Sequence, residues 1–279
     1  MDTSNIPSGQ ATKPLTAGVR GLLLVFCVTV FASGFQLFAL TEYTDRFFAW
    51  TVDPPLTAAF FGAAYWASFP LVLISSRQRA WARARVAVPS VLLFTTLTLL
   101  ATLLHIDRFH MASVFGWVWL VVYGIVPPAM LLLLVSQLRV AGRDPPRSKT
   151  LPAWMRLVLG LQAGVMLTLG VALFVSPQTT AVLWPWMLTP LTGRAVGAWL
   201  VGIGVVAAHM CVENDYRRIR AALIGYTVLG GLQLLALARY PGTVDWSGVG
   251  SWIYLLLLLS IGGVGLYGWW RESRGSERH

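Results

Sequence analysis

The hydrophobic positions of the chain are gathered into eight long runs separated by short polar segments. The runs cover residues 21–40, 55–76, 86–104, 114–138, 157–176, 191–212, 221–238 and 248–268. Each is close to the roughly 20 residues that cross a hydrocarbon core of about 30 Å as an α-helix. We therefore predict an all-α polytopic membrane protein with eight transmembrane helices.

Composition agrees with this interpretation. Of the 279 residues, 56% are hydrophobic and 11% are charged, whereas soluble domains contain about 25% charged residues. Very little sequence lies outside the apolar runs, so function must reside inside the bundle or at its two ends. Cys27 and Cys211 are the only cysteines; we interpret both as small apolar packing residues, and we predict no metal and no cofactor.

The distribution of basic residues predicts the orientation. If the N-terminus is cytoplasmic, 17 of the 21 Lys and Arg residues fall on the cytoplasmic side and 4 on the outer side, as the positive-inside rule requires. The basic rim then faces anionic lipid headgroups, and the net charge of +10 gives no reason to expect nucleic acid as a partner. We predict a multi-pass protein of the bacterial inner membrane with both termini in the cytoplasm.

An internal repeat is the clearest pattern after the apolar runs. Offsets of 135 or 136 residues align Trp50 with Trp186 and Pro55 with Pro190. They also align the segment RQRAWARAR (77–85) with ENDYRRIR (213–220). Tryptophan, proline and arginine rarely coincide by chance, so we predict two tandem, parallel four-helix units. The predicted divisions are a cytoplasmic N-terminal tail (1–19), the first repeat (20–140), a cytoplasmic linker (141–154), the second repeat (155–270) and a cytoplasmic C-terminal tail (271–279).

The sequence also marks helix starts and helix breaks. Asp53 and Thr189 are predicted N-caps because each precedes a proline at the start of an apolar run. Pro127-Pro128 and Gly262-Gly263 occupy matching positions in the fourth and eighth runs. We predict that they break their helices, a feature typical of transporter cavities, although a tolerated proline kink is the simpler alternative.

Ionisable residues are absent from the middle of the spans and collect at the predicted outer rim. A proton- or sodium-coupled transporter normally needs a carboxylate or unwound carbonyls near the midplane, so this pattern disfavours that mechanism. The rim could form a pocket for a polar or anionic headgroup, or an interfacial network that closes the bundle. The candidate ligand-binding residues are Glu42, Asp53, His105, Asp107, Arg108, His110, Arg194, Arg239 and Asp245.

His105, Asp107 and His110 also suggest a weaker alternative. Two histidines and a carboxylate could bind a metal or support redox chemistry, but His105 and His110 are five residues apart, and metal pairs on one helix prefer a separation of three or four. A continuous helix would therefore place them on different faces.

Two resemblances accompany these observations. The phrases LLHIDRFH (103–110), VPP (126–128) and WPWMLTPLTGRAVGAWL (184–200) resemble a family of uncharacterised eight-span membrane proteins of high-GC bacteria, over nearly the whole chain. The second half, with TGRAVGAWLVGIG (192–204), is similar to DoxX-like four-helix membrane proteins. These resemblances imply a bundle of four-helix units and no particular chemistry.

Three functions remain open from the sequence. The first is a protein that binds or carries a small or amphiphilic molecule, such as a lipid, through an outward-facing cavity between the repeats. The second is a structural or accessory subunit that assembles with itself or with other membrane subunits. The third is a membrane enzyme or redox protein that uses the His105, Asp107 and His110 segment.

Overall fold

The computed structural model describes residues 11–276, with side chains described as far as Glu272. Within this range, eight helices are long and apolar enough to cross a membrane, so the predicted all-α polytopic membrane fold is confirmed. In chain order the helices are α1 Ala17–Ala39, α2 Pro55–Ser76, α3 Ala87–Leu104, α4 Val114–Arg139, α5 Ala153–Val175, α6 Pro190–Glu213, α7 Tyr216–Arg239 and α8 Val249–Ser276.

Short helical turns interrupt the connecting segments. They are Thr41–Tyr43, Thr44–Phe47, Trp81–Arg83, Ile106–Arg108, Pro177–Thr180, Ala181–Leu183 and Pro241–Thr243. These turns satisfy backbone groups locally at the helix ends, where the α-helical pattern leaves donors and acceptors without partners.

The two ends of the bundle are named here by the chain segments that they contain. The terminal end contains the start of α1 and the end of α8. At this end Lys13 Nζ donates to the carbonyl of Leu138, and Lys149 Nζ donates to the carbonyl of Arg271. The other end, where α1 stops and α2 begins, is the opposite end.

Four helices form the centre of the bundle and four lie outside them. In each half, α1 packs on α2 and α3 on α4, as α5 packs on α6 and α7 on α8. The halves meet where α2 contacts α7 and α3 contacts α6. The spans of α2, α3, α6 and α7 are accordingly at least 50% buried, and the other four are at most 39% buried. Any site between the halves is therefore built from these central helices and their loops.

Close helix crossings occur at corresponding places in the two halves. A Cβ atom on Gly62 of α2 would lie 2.4 Å from the backbone nitrogen of Phe38 in α1, and one on Gly197 of α6 would lie 2.9 Å from that of Phe174 in α5. Only glycine permits this approach, since real Cβ contacts are not found below 3.0 Å. The two residue pairs are related by the offsets of 135 and 136.

Backbone hydrogen bonds at the terminal end follow the same offsets. The N–H of Trp81 donates to the carbonyl of Lys13 at 3.0 Å, and the N–H of Tyr216 donates to that of Lys149 at 3.1 Å. Each bond ties the segment before one outer helix to the turn between two central helices of the same half.

The structure distinguishes the two predicted N-caps. The Thr189 hydroxyl accepts from the backbone N–H of Thr192, and the Thr192 side chain accepts from the N–H of Thr189 in return, so a full capping box begins α6. The prediction for Asp53 is wrong: Pro54 occupies the N-cap position of α2, and no side chain caps that helix. The additional proline of the first half separates Asp53 from the helix start.

The predicted helix breaks at Pro127, Pro128, Gly262 and Gly263 are absent, because α4 and α8 run through these positions as continuous helices. The two prolines lack N–H donors, but a membrane helix can tolerate that loss. Gly230 of α7 packs closely against Gly262 of α8, because a Cβ on Gly230 would lie 2.7 Å from the Cα atom of Gly262.

Candidate functional site

A cavity of about 540 Å³ opens at the opposite end between the two halves. The first half supplies the loop before α2 and the turn after α3, and the second half supplies the start of α6. We call this space the His105 cavity; its lining residues are Trp50, Thr51, His105, Asp107, Arg108, Thr189, Pro190 and Leu191.

Aromatic packing fixes the wall of the cavity near Trp50. The indole is buried, and its ring centroid lies 5.1 Å from that of Phe109 and 4.8 Å from that of Trp119 in α4. These edge and tilted contacts are favourable geometries for aromatic rings. They hold the 48–51 loop against the bundle and so set the position of Thr51.

His110 stabilises the same loop through hydrogen bonds. Its backbone N–H donates to the carbonyl of Ala49 at 2.8 Å. Its Nδ1 lies 3.3 Å from the carbonyl of Phe48, and its Nε2 lies 3.2 Å from the hydroxyl of Thr51. Because a carbonyl can only accept, Nδ1 donates to Phe48, and the Thr51 hydroxyl is the hydrogen-bond partner of Nε2. Both ring nitrogens of His110 are therefore occupied within the protein.

His105 faces the cavity with a fixed tautomer. Nη1 of Arg194, in the first turns of α6, lies 2.8 Å from Nε2 of His105. A guanidinium can only donate, so Nε2 accepts and the proton of the neutral imidazole is on Nδ1. Arg194 thus joins the halves and prepares the Nδ1–H of His105 as a hydrogen-bond donor.

The charge state of His105 follows from these surroundings. Partial burial lowers the pKa of His105 below its ordinary value of 6.5, and the positive charges of Arg194 and Arg108 lower it further against the opposing effect of Asp107. The ring is therefore neutral at pH 7, in agreement with its role as acceptor for Arg194.

We expect the protein to lose a small part of its thermal stability as the pH falls below 6.5. The unfolded chain then binds a proton at His105 more readily than the folded protein, whose pKa is lowered. This contribution is fully present above pH 6.5 and is lost as the pH falls through the lowered pKa. Unfolding temperatures measured between pH 7.5 and 5 should decline more for the wild type than for His105→Gln; equal declines would contradict the assignment.

Asp107 and Arg108 form an exposed pair at the cavity mouth. Arg108 Nε lies 3.1 Å from Asp107 Oδ2, and the two side chains are 72% and 70% exposed. Such surface pairs contribute about 0–1 kcal/mol. A ligand could therefore separate Arg108 from Asp107 at little cost.

The remaining predicted site residues lie elsewhere. Glu42 and Asp53 are exposed and make no side-chain hydrogen bond or ion pair with the described residues. Arg239 Nη1 donates to the carbonyl of Phe38 at 2.8 Å. Asp245 borders a separate, largely apolar cavity of about 470 Å³ in the second half. The structure thus brings together His105, Asp107, Arg108 and Arg194, with His110 behind them.

Asp245 has a local structural role. Its Oδ1 accepts from the backbone N–H of Ser247 at 3.1 Å and from the Ser247 hydroxyl at 2.5 Å, and these hydrogen bonds lower the pKa of Asp245. Its carboxylate therefore organises the turn that leads into α8.

The centre of the bundle offers little space. The cavity between α2, α3, α6 and α7 has a volume of about 50 Å³, and its walls are almost entirely apolar. The Tyr226 hydroxyl is buried there with no hydrogen-bond partner in the described part of the chain. This volume can hold one or a few water molecules but no larger molecule.

No three His, Cys, Asp or Glu side chains within the described residues lie close enough to hold a metal ion. His105 is the C-cap of α3 and contacts Arg194, whereas His110 follows the short turn and contacts the 48–51 loop. The described residues therefore assemble no three-ligand metal site at this segment.

Sequence reasoning missed a buried ion-pair network at the terminal end. The Glu213 side chain is 1% exposed and accepts from the guanidinium groups of Arg85 and Arg218, with Arg85 Nη2 to Oε2 at 2.8 Å and Arg218 Nη1 to Oε2 at 3.0 Å. Asp144 adds a second carboxylate, 2.6 Å from Arg85 Nη1. The offset of 135, which places Arg218 on Arg83 and Arg220 on Arg85, was the available signal for such a cluster.

Comparisons with known proteins place no constraint on this site. The sequence matches no protein-family model, no curated protein matches it, and no solved structure matches its fold. The fold and its apolar helices define the class, a polytopic α-helical membrane protein. The resemblances to eight-span proteins of high-GC bacteria and to DoxX-like proteins stay predictions.

Proposed function

We propose that the protein binds a small amphiphilic molecule, such as a lipid, in the His105 cavity. The observation on which this rests is the cavity between the two halves, where Arg194 holds the Nδ1–H of His105 available as a donor. Arg108 supplies a second donor at the mouth. A phosphate, carboxylate or carbonyl oxygen in the ligand headgroup would accept from both.

The rest of the cavity suits the apolar part of such a ligand. Trp50, Pro190 and Leu191 form its apolar wall, and the volume of about 540 Å³ lies within the roughly 300–1,000 Å³ typical of small-molecule pockets. Polar donors on one side and apolar walls on the other are the arrangement that an amphiphile requires.

The proposed activity is binding, without passage along the axis of the bundle. The central cavity of about 50 Å³ is too small for an amphiphile, and α4 and α8 have no unwound segments to supply a coordination site. Transport through the centre would need a different arrangement of α2, α3, α6 and α7.

We infer that the architecture arose from tandem duplication of a four-helix unit. The matched crossings at Gly62 and Gly197 and the matched hydrogen bonds of Trp81 and Tyr216 support this. The offset that relates the two halves places α2 on α6 and α3 on α7, so the contact of α2 with α7 corresponds to the contact of α6 with α3. We further propose that the terminal end is cytoplasmic in a bacterial inner membrane, because it contains most of the basic residues.

Native mass spectrometry of the gently solubilised protein tests the binding function. We expect a discrete adduct on the wild type and about tenfold lower occupancy for His105→Leu and for Arg194→Gln, since each loses a charge-assisted or pre-oriented hydrogen bond. The control is Arg46→Gln, an exposed arginine at the same end that does not line the cavity.

Two results would contradict the proposal. One is a wild-type chain that carries no adduct even after incubation with phospholipid. The other is an adduct retained equally by His105→Leu and by Arg46→Gln. A co-purifying polypeptide in place of an adduct would favour the accessory-subunit hypothesis.

A further inference from the structure

A second cavity lies at the terminal end, where the end of α2 faces the start of α7. It has a volume of about 350 Å³ and is lined by basic side chains from three segments. We call it the Arg83 cavity; its charged lining residues are Arg83, Lys149, Arg217, Arg220 and Glu272. With four cations against one carboxylate, its wall has an excess of positive charge.

Much of this positive charge is uncompensated. Among the side chains that the structure describes, which end at Glu272, the guanidinium groups of Arg83 and Arg217 have no hydrogen-bond or ion-pair partner. Arg220 Nε lies 3.4 Å from Glu272 Oε2, and Arg220 is 54% exposed. Lys149 Nζ donates to the carbonyl of Arg271 at 2.9 Å, which leaves its charge unneutralised.

The structure contains a filled counterpart of this cavity. Where the end of α6 faces the start of α3, the buried Glu213 carboxylate accepts from Arg85 and Arg218. We call these two arginines the closed pair. The offset of 135 relates Arg218 to Arg83 and Arg85 to Arg220, so we call Arg83 and Arg220 the open pair.

The residue that distinguishes the two places is Gln78. It corresponds to Glu213 by the same offset, and it lines the Arg83 cavity. Its side chain is neutral, and its amide nitrogen donates to the carbonyl of Ile74 at 3.1 Å. Position 78 therefore supplies no carboxylate to the open pair, whereas Glu213 is shared by both members of the closed pair; Glu272 pairs with Arg220.

We propose that the Arg83 cavity binds an oxyanion, a phosphate or carboxylate group supplied by a ligand, in place of the carboxylate that Glu213 supplies to the closed pair. Arginine guanidinium groups match the geometry of such oxyanions and bind them through paired hydrogen bonds. The source is either an anionic lipid headgroup or a soluble metabolite. This site is at the other end of the bundle from the His105 cavity and does not depend on the function proposed there.

The first test measures thermal unfolding of the full-length protein in a neutral detergent with increasing inorganic phosphate, at constant ionic strength set by chloride. We expect a saturable rise in the unfolding temperature of the wild type. Arg83→Gln and Arg220→Gln should weaken the apparent affinity about tenfold or more. Both side chains are exposed, so these variants should fold.

Arg79→Gln is the matched control. Arg79 is an exposed arginine on the same loop, and it does not line the cavity. It should leave the phosphate response unchanged. A response that falls equally in Arg79→Gln and Arg83→Gln would indicate general surface charge and overturn the proposal.

The sharpest variant is Gln78→Glu, which supplies the open pair with an internal carboxylate. We expect it to raise the unfolding temperature without phosphate and to abolish the phosphate response. A Gln78→Glu protein that responds to phosphate as the wild type does would overturn the proposal.

Lipid nanodiscs distinguish the two sources of the anion. Protein released from discs containing phosphatidylglycerol is analysed by native mass spectrometry beside protein from discs of phosphatidylcholine alone. Retention of phosphatidylglycerol by the wild type but not by Gln78→Glu supports a lipid headgroup, and a response to free phosphate without lipid retention supports a soluble ligand. Neither retention nor a phosphate response in the wild type would contradict an oxyanion site.

Discussion

Replacing Glu213 with glutamine is expected to lower the free energy of unfolding by about 3–5 kcal/mol. The Glu213 side chain is 1% exposed, and the side chains of its two partners, Arg218 and Arg85, are 8% and 24% exposed. Glutamine keeps the size of the side chain but removes its charge, so two arginines lose their main counterion in a place that water cannot fully reach. Breaking a buried ion pair in this way costs far more than losing a surface pair.

Unfolding in mixed micelles with increasing denaturing detergent, followed by circular dichroism, would measure this effect. The control is Glu272→Gln, which disrupts the pair of Glu272 with the mostly exposed Arg220 at 3.4 Å. It should cost about 1 kcal/mol or less. Equal losses in the two variants would show that burial of Glu213 does not determine its contribution.

Replacing Gly62 with alanine should destabilise the protein by about 1–3 kcal/mol. The added methyl group would lie 2.4 Å from the backbone nitrogen of Phe38, and a helix backbone cannot move aside as a side chain can. This loss opposes the gain of about 1 kcal/mol that alanine normally brings to a helix. Gly197→Ala should behave in the same way, because its Cβ would lie 2.6 Å from the carbonyl oxygen of Gly170.

Gly160→Ala provides the comparison for this pair. A Cβ atom at Gly160 of α5 would meet nothing within 4 Å in the described part of the chain, so the substitution should leave stability unchanged or slightly raised. The same unfolding assay applies. A stable Gly62→Ala protein would mean that α1 and α2 do not cross as closely as the structure has them.

The eight spans could be predicted because membrane crossing demands long apolar runs. The run 55–76 coincides with α2. The run 221–238 was too short, since α7 begins at Tyr216, where Asp215 accepts from the backbone N–H of Arg218 as N-cap. Hydropathy excluded the arginines of that first turn, although a capped helix accommodates them. The C-terminal extension of α8 beyond residue 268 was missed for the same reason.

The site was only partly predictable. The segment 105–108 was identified because charged residues stand out at the end of an apolar run, but its partner Arg194 is 89 residues away and only the fold brings them together. Glu42 and Asp53 look equivalent to these residues in sequence, yet both are exposed and neither lines the cavity. Charge alone does not reveal which loops converge.

The sequence does not predict the buried ion-pair network of Glu213, because this residue looks like an acidic loop residue at the end of a span. Aligning the halves places it on Gln78 and makes the difference in charge visible. The physical meaning of that difference depends on burial, which sequence alone does not supply. Glu213 is enclosed by Arg85 and Arg218, whereas Gln78 borders an open basic cavity.

A crystal structure of the wild-type protein, purified from its own membrane without added lipid, tests the central proposal most directly. We expect electron density for a bound amphiphile in the His105 cavity, with an oxygen acceptor within about 3 Å of Nδ1 of His105. The same density should be absent from His105→Leu protein prepared in parallel. A wild-type cavity containing only ordered water, or one closed by Arg108 and Asp107, would contradict the proposal.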